Sequence, residues 1–233
     1  MTHLDTELKS LKSELSEMWM LVVSQMNKAK NALSNFDKDL ATEVDINEKR
    51  VNVYELMIDR DCEHVLALYN PVAIDLRFVL AVLKINYNLE RIGDYAQGIA
   101  LIIKDMDSSF NKELFAKTSV IEMYEECNAM LCDTFHAFNK ENNQLALTIF
   151  NRDEKLDNIN RKANTTISEY IKMKPEEIEH SLNILSVVRK LERIGDQTKN
   201  IAEEIIFFIE AKVLKHRTKK LKENKDAEAN KKK

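Results

Sequence analysis

The most constraining feature of this 233-residue chain is a six-residue segment that occurs twice. Leu-Glu-Arg-Ile-Gly-Asp spans residues 89–94 and recurs unchanged at 191–196, which is 102 residues later. An Ile-Ala pair follows each copy at the same distance. A repeat of this length at nearly half the chain length indicates an internal duplication, in which each copy is one folding unit of about a hundred residues.

Apolar residues recur at intervals of three and four through nearly the whole chain, which predicts amphipathic helices. Only three glycines and two prolines are available for the turns of a sheet. Pro71, with Asn70 as its cap, and Pro175 are predicted to begin the third and the sixth helix. The predicted helices span about 4–35, 38–68, 71–106, 112–140, 142–172 and 176–215. Because short connections make neighbouring helices antiparallel, we expect an all-α fold of two tandem, duplicated three-helix bundles, at 1–108 and 109–216.

Each hexapeptide places a glutamate and an aspartate four residues apart, on the outer side of its helix and away from the apolar stripe. These pairs are Glu90 with Asp94 and Glu192 with Asp196. The preceding helix of each half carries a polar row spaced four, three and four residues apart. The rows are Glu48, Asn52, Glu55 and Asp59 in the first half and Asp153, Asp157, Asn160 and Asn164 in the second. We expect each row to meet the hexapeptide helix along a groove, giving an oxygen-lined surface site.

Gly93 and Gly195 stand inside the predicted helices, immediately before the aspartates. Glycine in a helix interior costs about 1 kcal/mol relative to alanine, and like charges at i and i+4 also destabilise a helix. Both costs occur twice, which favours a function such as close backbone approach or room for a ligand. Carboxylates without His or Cys suit hard cations such as Mg²⁺, Ca²⁺, Mn²⁺ or iron. Solvated helix surface is the alternative interpretation.

Other classes of site are not supported by the residues. The five histidines are scattered, three glycines leave no Gly-rich phosphate loop, and no apolar pocket that would raise a carboxyl pKa is evident, so we expect no enzyme. The three cysteines, Cys62, Cys127 and Cys132, predict buried thiols in a reducing compartment. Neither a signal peptide nor an apolar run of membrane-spanning length occurs. We therefore expect a soluble, cytoplasmic protein.

Charge divides the chain unevenly. The first 211 residues carry a net charge of −11 and the residues from Lys212 onward carry +7. The tail at 217–233 has lost its apolar period and is predicted to be disordered. It either solvates the chain or is attracted to an anionic membrane surface or to nucleic acid.

Together these motifs resemble the PhoU family of phosphate-transport accessory and regulatory proteins. The resemblance runs from about residue 4 to 215 and depends on the hexapeptides, the row that begins at Glu48 and the segment Pro-Val-Ala-Ile-Asp-Leu-Arg at 71–77. It implies E/D-x-x-x-D motifs that hold iron, zinc, manganese or magnesium on the bundle surface. The metal-ligating positions carried over are Glu48, Asn52, Glu90, Asp94, Asp153, Asp157, Glu192 and Asp196. Because Asn52 replaces a carboxylate, the first-half site is expected to bind metal differently and more weakly.

The resemblance also implies a non-enzymatic adaptor rather than an enzyme. Its partners would be the ATPase subunit of the phosphate ABC transporter and a phosphate-sensing histidine kinase, and it would repress the phosphate regulon when phosphate is plentiful. We also expect a homodimer that reaches the membrane only through its partners and does not bind nucleic acid directly. Two alternatives remain: a metal-dependent hydrolase or metal-storage bundle that uses the same carboxylates, and nucleic-acid binding through the tail.

Overall fold

The computed structural model describes residues 2–213, and these residues form long α-helices joined by short connections. The helices are α1 (His3–Asn35), α2 (Lys38–Tyr69), α3 (Ala73–Asp105), α4 (Lys112–Lys117), α5 (Val120–Lys140), α6 (Asn143–Met173) and α7 (Ile178–Glu210), with one 3-10 turn, Pro175–Glu177, before α7. The predicted all-α fold of two tandem three-helix bundles is confirmed: α1, α2 and α3 form the first bundle, and α5, α6 and α7 form the second. The predicted tail at 217–233 lies outside the described residues.

Polar side chains at the helix starts explain where several helices begin. Thr2 and Asp5 form a capping box at α1, in which each side chain accepts a hydrogen bond from the other residue's backbone N–H. The side chain of Asp37 accepts two backbone N–H groups at the start of α2, and Asn142 accepts one at the start of α6. Such caps satisfy amides that have no partner within the helix.

Several boundaries differ from the prediction. The sixth predicted helix, 176–215, ends earlier, because α7 ends at Glu210 and Ala211 has a left-handed φ of 57°. The fourth predicted helix, 112–140, is broken at Ser119, whose φ of 52° lies in the left-handed region, so it becomes α4 and α5. Asn70 does not cap α3, because its own φ of 45° ends α2. Pro71 therefore lies in the connection, and Val72 is the residue that precedes α3. Pro175 does begin a helical turn, although it is the 3-10 turn before α7.

The two hexapeptide helices, α3 and α7, pack against each other in the middle of the molecule. The polar-row helices lie outside them, with α2 against α1 and α3, and α6 against α5 and α7. The buried core is continuous between the halves. At their junction the indole N–H of Trp19 on α1 donates a 3.3 Å hydrogen bond to the carbonyl of Leu131 on α5. Independent folding of the two predicted domains stays a prediction.

The burial of the cysteines and the hydropathy of the helices can be compared with the predictions made from the sequence. Cys62 and Cys127 are free and buried, as predicted, whereas Cys132 is partly exposed. Burial is also the main reason that the pKa of the Cys62 thiol is raised to about 12. Among residues 2–213, no helix combines the length and the hydropathy needed to cross a bilayer.

Candidate functional site

The first carboxylate cluster lies between α2 and α3. Its members are Glu48, Glu55 and Asp59 on α2 and Glu90 and Asp94 on α3. Their negative charges act on one another, since those of Asp94, Glu55 and Glu48 all raise the pKa of Glu90. The polar row of α2 and the acidic pair of α3 therefore form one site. Asn52, by contrast, is exposed to solvent.

Glu48 is the most deeply buried member of this cluster, with only 2% of its surface exposed. One of its oxygens, Oε2, accepts a hydrogen bond of 2.9 Å from the side-chain amide of Gln25 on α1. The other, Oε1, has no hydrogen-bond partner within the described part of the chain. The sequence predicted an oxygen-lined site on the surface, whereas the structure buries Glu48 inside the bundle.

Burial gives two carboxyl groups of the first cluster an unusual protonation equilibrium. Desolvation, with smaller contributions from Asp94 and Glu55, raises the pKa of Glu48 to about 7. Desolvation and the neighbouring carboxylates also raise the pKa of Glu90 to about 7. The pKa of Glu55 is raised by desolvation and then by Asp59 and Asp94. No apolar pocket that would raise a carboxyl pKa was evident in the sequence, but burial of these side chains raises the pKa of both Glu48 and Glu90 in the structure.

Polar side chains hold the two ends of the first cluster. The amide of Asn86 on α3 donates 2.9 Å hydrogen bonds to Asp59 Oδ1 and to the backbone carbonyl of Glu55. At the other end, Arg91 Nη1 lies 3.8 Å from Asp94 Oδ2. This ion pair is solvent-exposed, so it contributes little to stability.

The second carboxylate cluster lies between α6 and α7 and consists of Asp153, Asp157, Glu192 and Asp196. Asp153 takes the buried position that Glu48 has in the first half and is 5% exposed. Desolvation, followed by the charge of Asp196, raises the pKa of Glu192. On the solvent side, Arg193 Nη1 lies 3.5 Å from Asp196 Oδ2.

A lysine distinguishes the second cluster from the first. Lys199 Nζ lies 2.5 Å from Asp153 Oδ2 and 3.4 Å from Asp196 Oδ1. Although burial lowers the pKa of Lys199, its hydrogen bond to Asp153 and the two carboxylate charges raise that pKa above its usual value. Both remaining members of the second polar row are amides, and Asn164 Nδ2 donates to Asn160 Oδ1 at 2.9 Å.

The helix glycines make room for side chains of the neighbouring helix. A Cβ on Gly93 would lie 2.8 Å from Glu48 Oε2, and a Cβ on Gly195 would lie 2.4 Å from Leu156 Cδ1. Real Cβ atoms do not approach other atoms so closely. Gly93 therefore lets the buried carboxylate lie directly against α3, while Gly195 admits an apolar side chain.

Sequence reasoning missed Gln25 and Lys199. Neither belongs to a repeated motif, but Lys199 stands three residues after the second hexapeptide, where the first half has Gln97. That departure from the repeat was the available signal. In residues 2–213, no three His, Cys, Asp or Glu side chains are already arranged around a point that would hold a metal ion.

The fold and these clusters define a class: tandem three-helix-bundle proteins in which each half pairs an acidic Glu-x-x-x-Asp helix with a polar row. The sequence pattern of the PhoU domain matches residues 15–103 and again residues 120–205. These two matches fall on the first and the second bundle. The chain belongs to the PhoU family.

Relatives and solved structures agree with this assignment. The chain is 32% identical to the phosphate-specific transport system accessory protein PhoU homolog of Pseudomonas aeruginosa, over 91% of this chain and 87% of the relative. It is 31% identical to the phosphate-specific transport system accessory protein PhoU of Escherichia coli, over 91% and 87% of the two chains. The crystal structure of PhoU from Pseudomonas aeruginosa aligns with a TM-score of 0.86 at 32% identity, covering 89% of this chain and 99% of that one. That of the phosphate transport system regulatory protein PhoU from Streptococcus pneumoniae aligns with a TM-score of 0.78 at 26% identity, covering 91% and 99%.

Proposed function

We propose that this protein is a non-enzymatic regulator of phosphate uptake and of phosphate-starvation signalling. The observation that carries the proposal is the match of both bundles to the PhoU domain, together with relatives named as accessory proteins of a phosphate-specific transport system. These relatives are similar along nearly the whole described chain, so the proposal does not depend on one shared motif.

The proposed mode of action is that of an adaptor. The protein works in the cytoplasm as a homodimer, contacts the ATPase subunit of the phosphate ABC transporter and a phosphate-sensing histidine kinase, and represses the phosphate regulon when phosphate is plentiful. Long helices with large solvated faces support this role, since they offer surface for docking on membrane-bound partners.

Metal binding is the second part of the proposal. The first cluster supplies hard oxygen donors, and one of them, Glu48 Oε1, is buried without a hydrogen-bond partner in residues 2–213. Such a donor set suits iron, manganese, magnesium or zinc. A bound cation would offset the mutual repulsion of the carboxylates, and side chains would need to turn toward it because they do not yet converge.

Deletion of the gene tests the regulatory role. We expect phosphate-starvation genes to be expressed in the deletion strain even when external phosphate is abundant, and expression of the full chain from a plasmid should restore repression. Co-purification of the transporter ATPase and the histidine kinase with the full chain should accompany this result. Normal phosphate-responsive expression in the deletion strain would contradict the proposal.

A metal-dependent hydrolase is the alternative function, and one observation favours it. The pKa values of about 7 at Glu48 and Glu90 are suited to general acid–base catalysis near neutral pH. Turnover separates the two functions. With added manganese, a hydrolase should cleave a model phosphate ester such as p-nitrophenyl phosphate and lose that activity with Glu48→Gln, which keeps the shape of the side chain but cannot exchange a proton, whereas an adaptor should show no turnover in either form.

A further inference from the structure

The second carboxylate cluster contains a lysine, Lys199, that has no counterpart in the first cluster. We propose that the ammonium group of Lys199 takes the place of a metal ion in the second cluster, so that this chain binds metal at the first cluster only. This inference rests on the metal binding proposed above and names the half of the molecule that carries it.

Lys199 is positioned as an internal counter-ion. Its Nζ bridges α7 and α6, since it lies 2.5 Å from Asp153 Oδ2 and 3.4 Å from Asp196 Oδ1. The Asp153 side chain is only 7% exposed and that of Lys199 only 24%, so water screens this pair poorly. A metal ion that bound Asp153 would first have to displace the ammonium group, and the two positive charges would repel each other.

The first cluster has no such cation at the corresponding position. Gln97 stands there, and its amide donates a 2.9 Å hydrogen bond to Oδ1 of Asp45, a residue outside the first cluster whose Oδ2 is paired with Lys104. Within residues 2–213, no lysine or arginine lies at ion-pair distance from Glu48 or Glu90.

Glu48 occupies the position in the first half that Asp153 occupies in the second, but its side chain has different partners. The only hydrogen bond to its side chain within the described residues comes from the neutral amide of Gln25, and its Oε1 remains without a partner there. A buried carboxylate with one unsatisfied oxygen favours an added cation. Asn52, the reason to expect weaker binding in the first half, is exposed to solvent and is not one of the buried donors. The inference therefore reverses the sequence-based expectation that the first-half site is the weaker one.

The first experiment introduces the first-half residue into the second half. The full chain and Lys199→Gln are purified with chelator, dialysed free of it and titrated with MnCl₂, and bound manganese is measured per chain by elemental analysis. We expect Lys199→Gln to double the bound manganese, and Lys199→Arg to match the wild type because it keeps the positive charge. Lys155→Gln is the matched control: it removes the same charge from a lysine paired with Glu122 and Glu126, and should leave manganese binding unchanged.

A second experiment does not need Lys199→Gln to fold. In the otherwise natural chain, the double variant Glu90→Gln with Asp94→Asn should lose the bound manganese. The double variant Glu192→Gln with Asp196→Asn should retain it, with unchanged helicity by circular dichroism in both.

Failure of this inference and failure of the proposed metal binding would give different results. Loss of manganese from the second-half double variant, or equal binding by the wild type and Lys199→Gln, would overturn the inference while leaving metal binding intact. Absence of bound manganese from every variant would overturn the proposed metal binding, and this inference with it.

Discussion

At the scale of single residues, the unusual feature is a carboxyl group buried in a helical bundle. Glu48 lies against Gly93, and its side chain is kept there by one hydrogen bond from Gln25. A buried carboxylate is costly when ionised, so the group holds its proton more tightly in the folded protein than in the unfolded chain. Folding stability must then depend on pH.

The variant Glu48→Gln tests this dependence. In the wild type the free energy of unfolding should fall as pH rises from about 4.5, the pKa at which Glu48 begins to lose its proton in the unfolded chain, to about 7, its pKa in the folded state. Glutamine carries no charge and its amide can donate to the unsatisfied Oε1 of Gln25. We expect Glu48→Gln to stabilise the protein by ~1–2 kcal/mol at pH 8 and to change little at pH 4.5.

The measurement is urea unfolding in the presence of a chelator at several pH values. Glu63→Gln is the matched control, because Glu63 lies on the same helix but is exposed to solvent. The interpretation fails if Glu48→Gln is destabilising at pH 8 or if its effect does not depend on pH.

The repeat made the positions of the site predictable but not their burial. Glu90, Asp94, Glu192 and Asp196 lie on corresponding faces of α3 and α7, as the duplicated hexapeptide predicts. The depth of Glu48 could not be inferred, because it depends on Gln25 from a third helix and on the space beside Gly93. Neither of these contacts leaves a local pattern in the sequence.

At the scale of helices, the break between α4 and α5 was the largest departure from the periodicity. Leu114 and Val120 are both buried, yet residues six positions apart lie about 120° apart around a continuous helix. The left-handed residue Ser119 changes the direction of the chain, so both side chains reach the core. Periodicity identified the apolar residues correctly but could not show that they belong to two helices.

Ser119 should tolerate glycine better than a helical position does. Its φ of 52° is unfavourable for a residue with a side chain, and its hydroxyl makes no capping hydrogen bond at α5. We expect Ser119→Gly to stabilise the protein by about 0.5–1 kcal/mol, measured by thermal or urea unfolding.

The same substitution inside α5 provides the control. Ala129 is exposed in the middle of that helix, so Ala129→Gly should destabilise by about 1 kcal/mol. Equal destabilisation by both substitutions would show that Ser119 is not strained.

At the scale of the whole molecule, the duplicated halves share one core. Phe138 on α5 is fully buried, and its ring lies 5.7 Å from that of Trp19 on α1, 6.2 Å from Phe78 on α3 and 5.9 Å from Phe208 on α7. One side chain of the second bundle thus packs against two helices of the first. The duplication predicted two folding units, and this aromatic cluster argues that they unfold together.

Phe138→Ala tests whether the halves are coupled. Removal of a buried phenylalanine ring should cost about 3–5 kcal/mol, and because the ring touches both halves, the whole chain should still unfold in one transition at a lower temperature. Fluorescence of Trp19, the single tryptophan, reports the junction, and far-UV circular dichroism reports all helices. Phe150→Ala removes the same ring from a half-buried position on α6 and should cost less. Two separate transitions in the wild type, or loss of the fluorescence signal ahead of the helical signal, would instead show that each repeat folds as an independent domain.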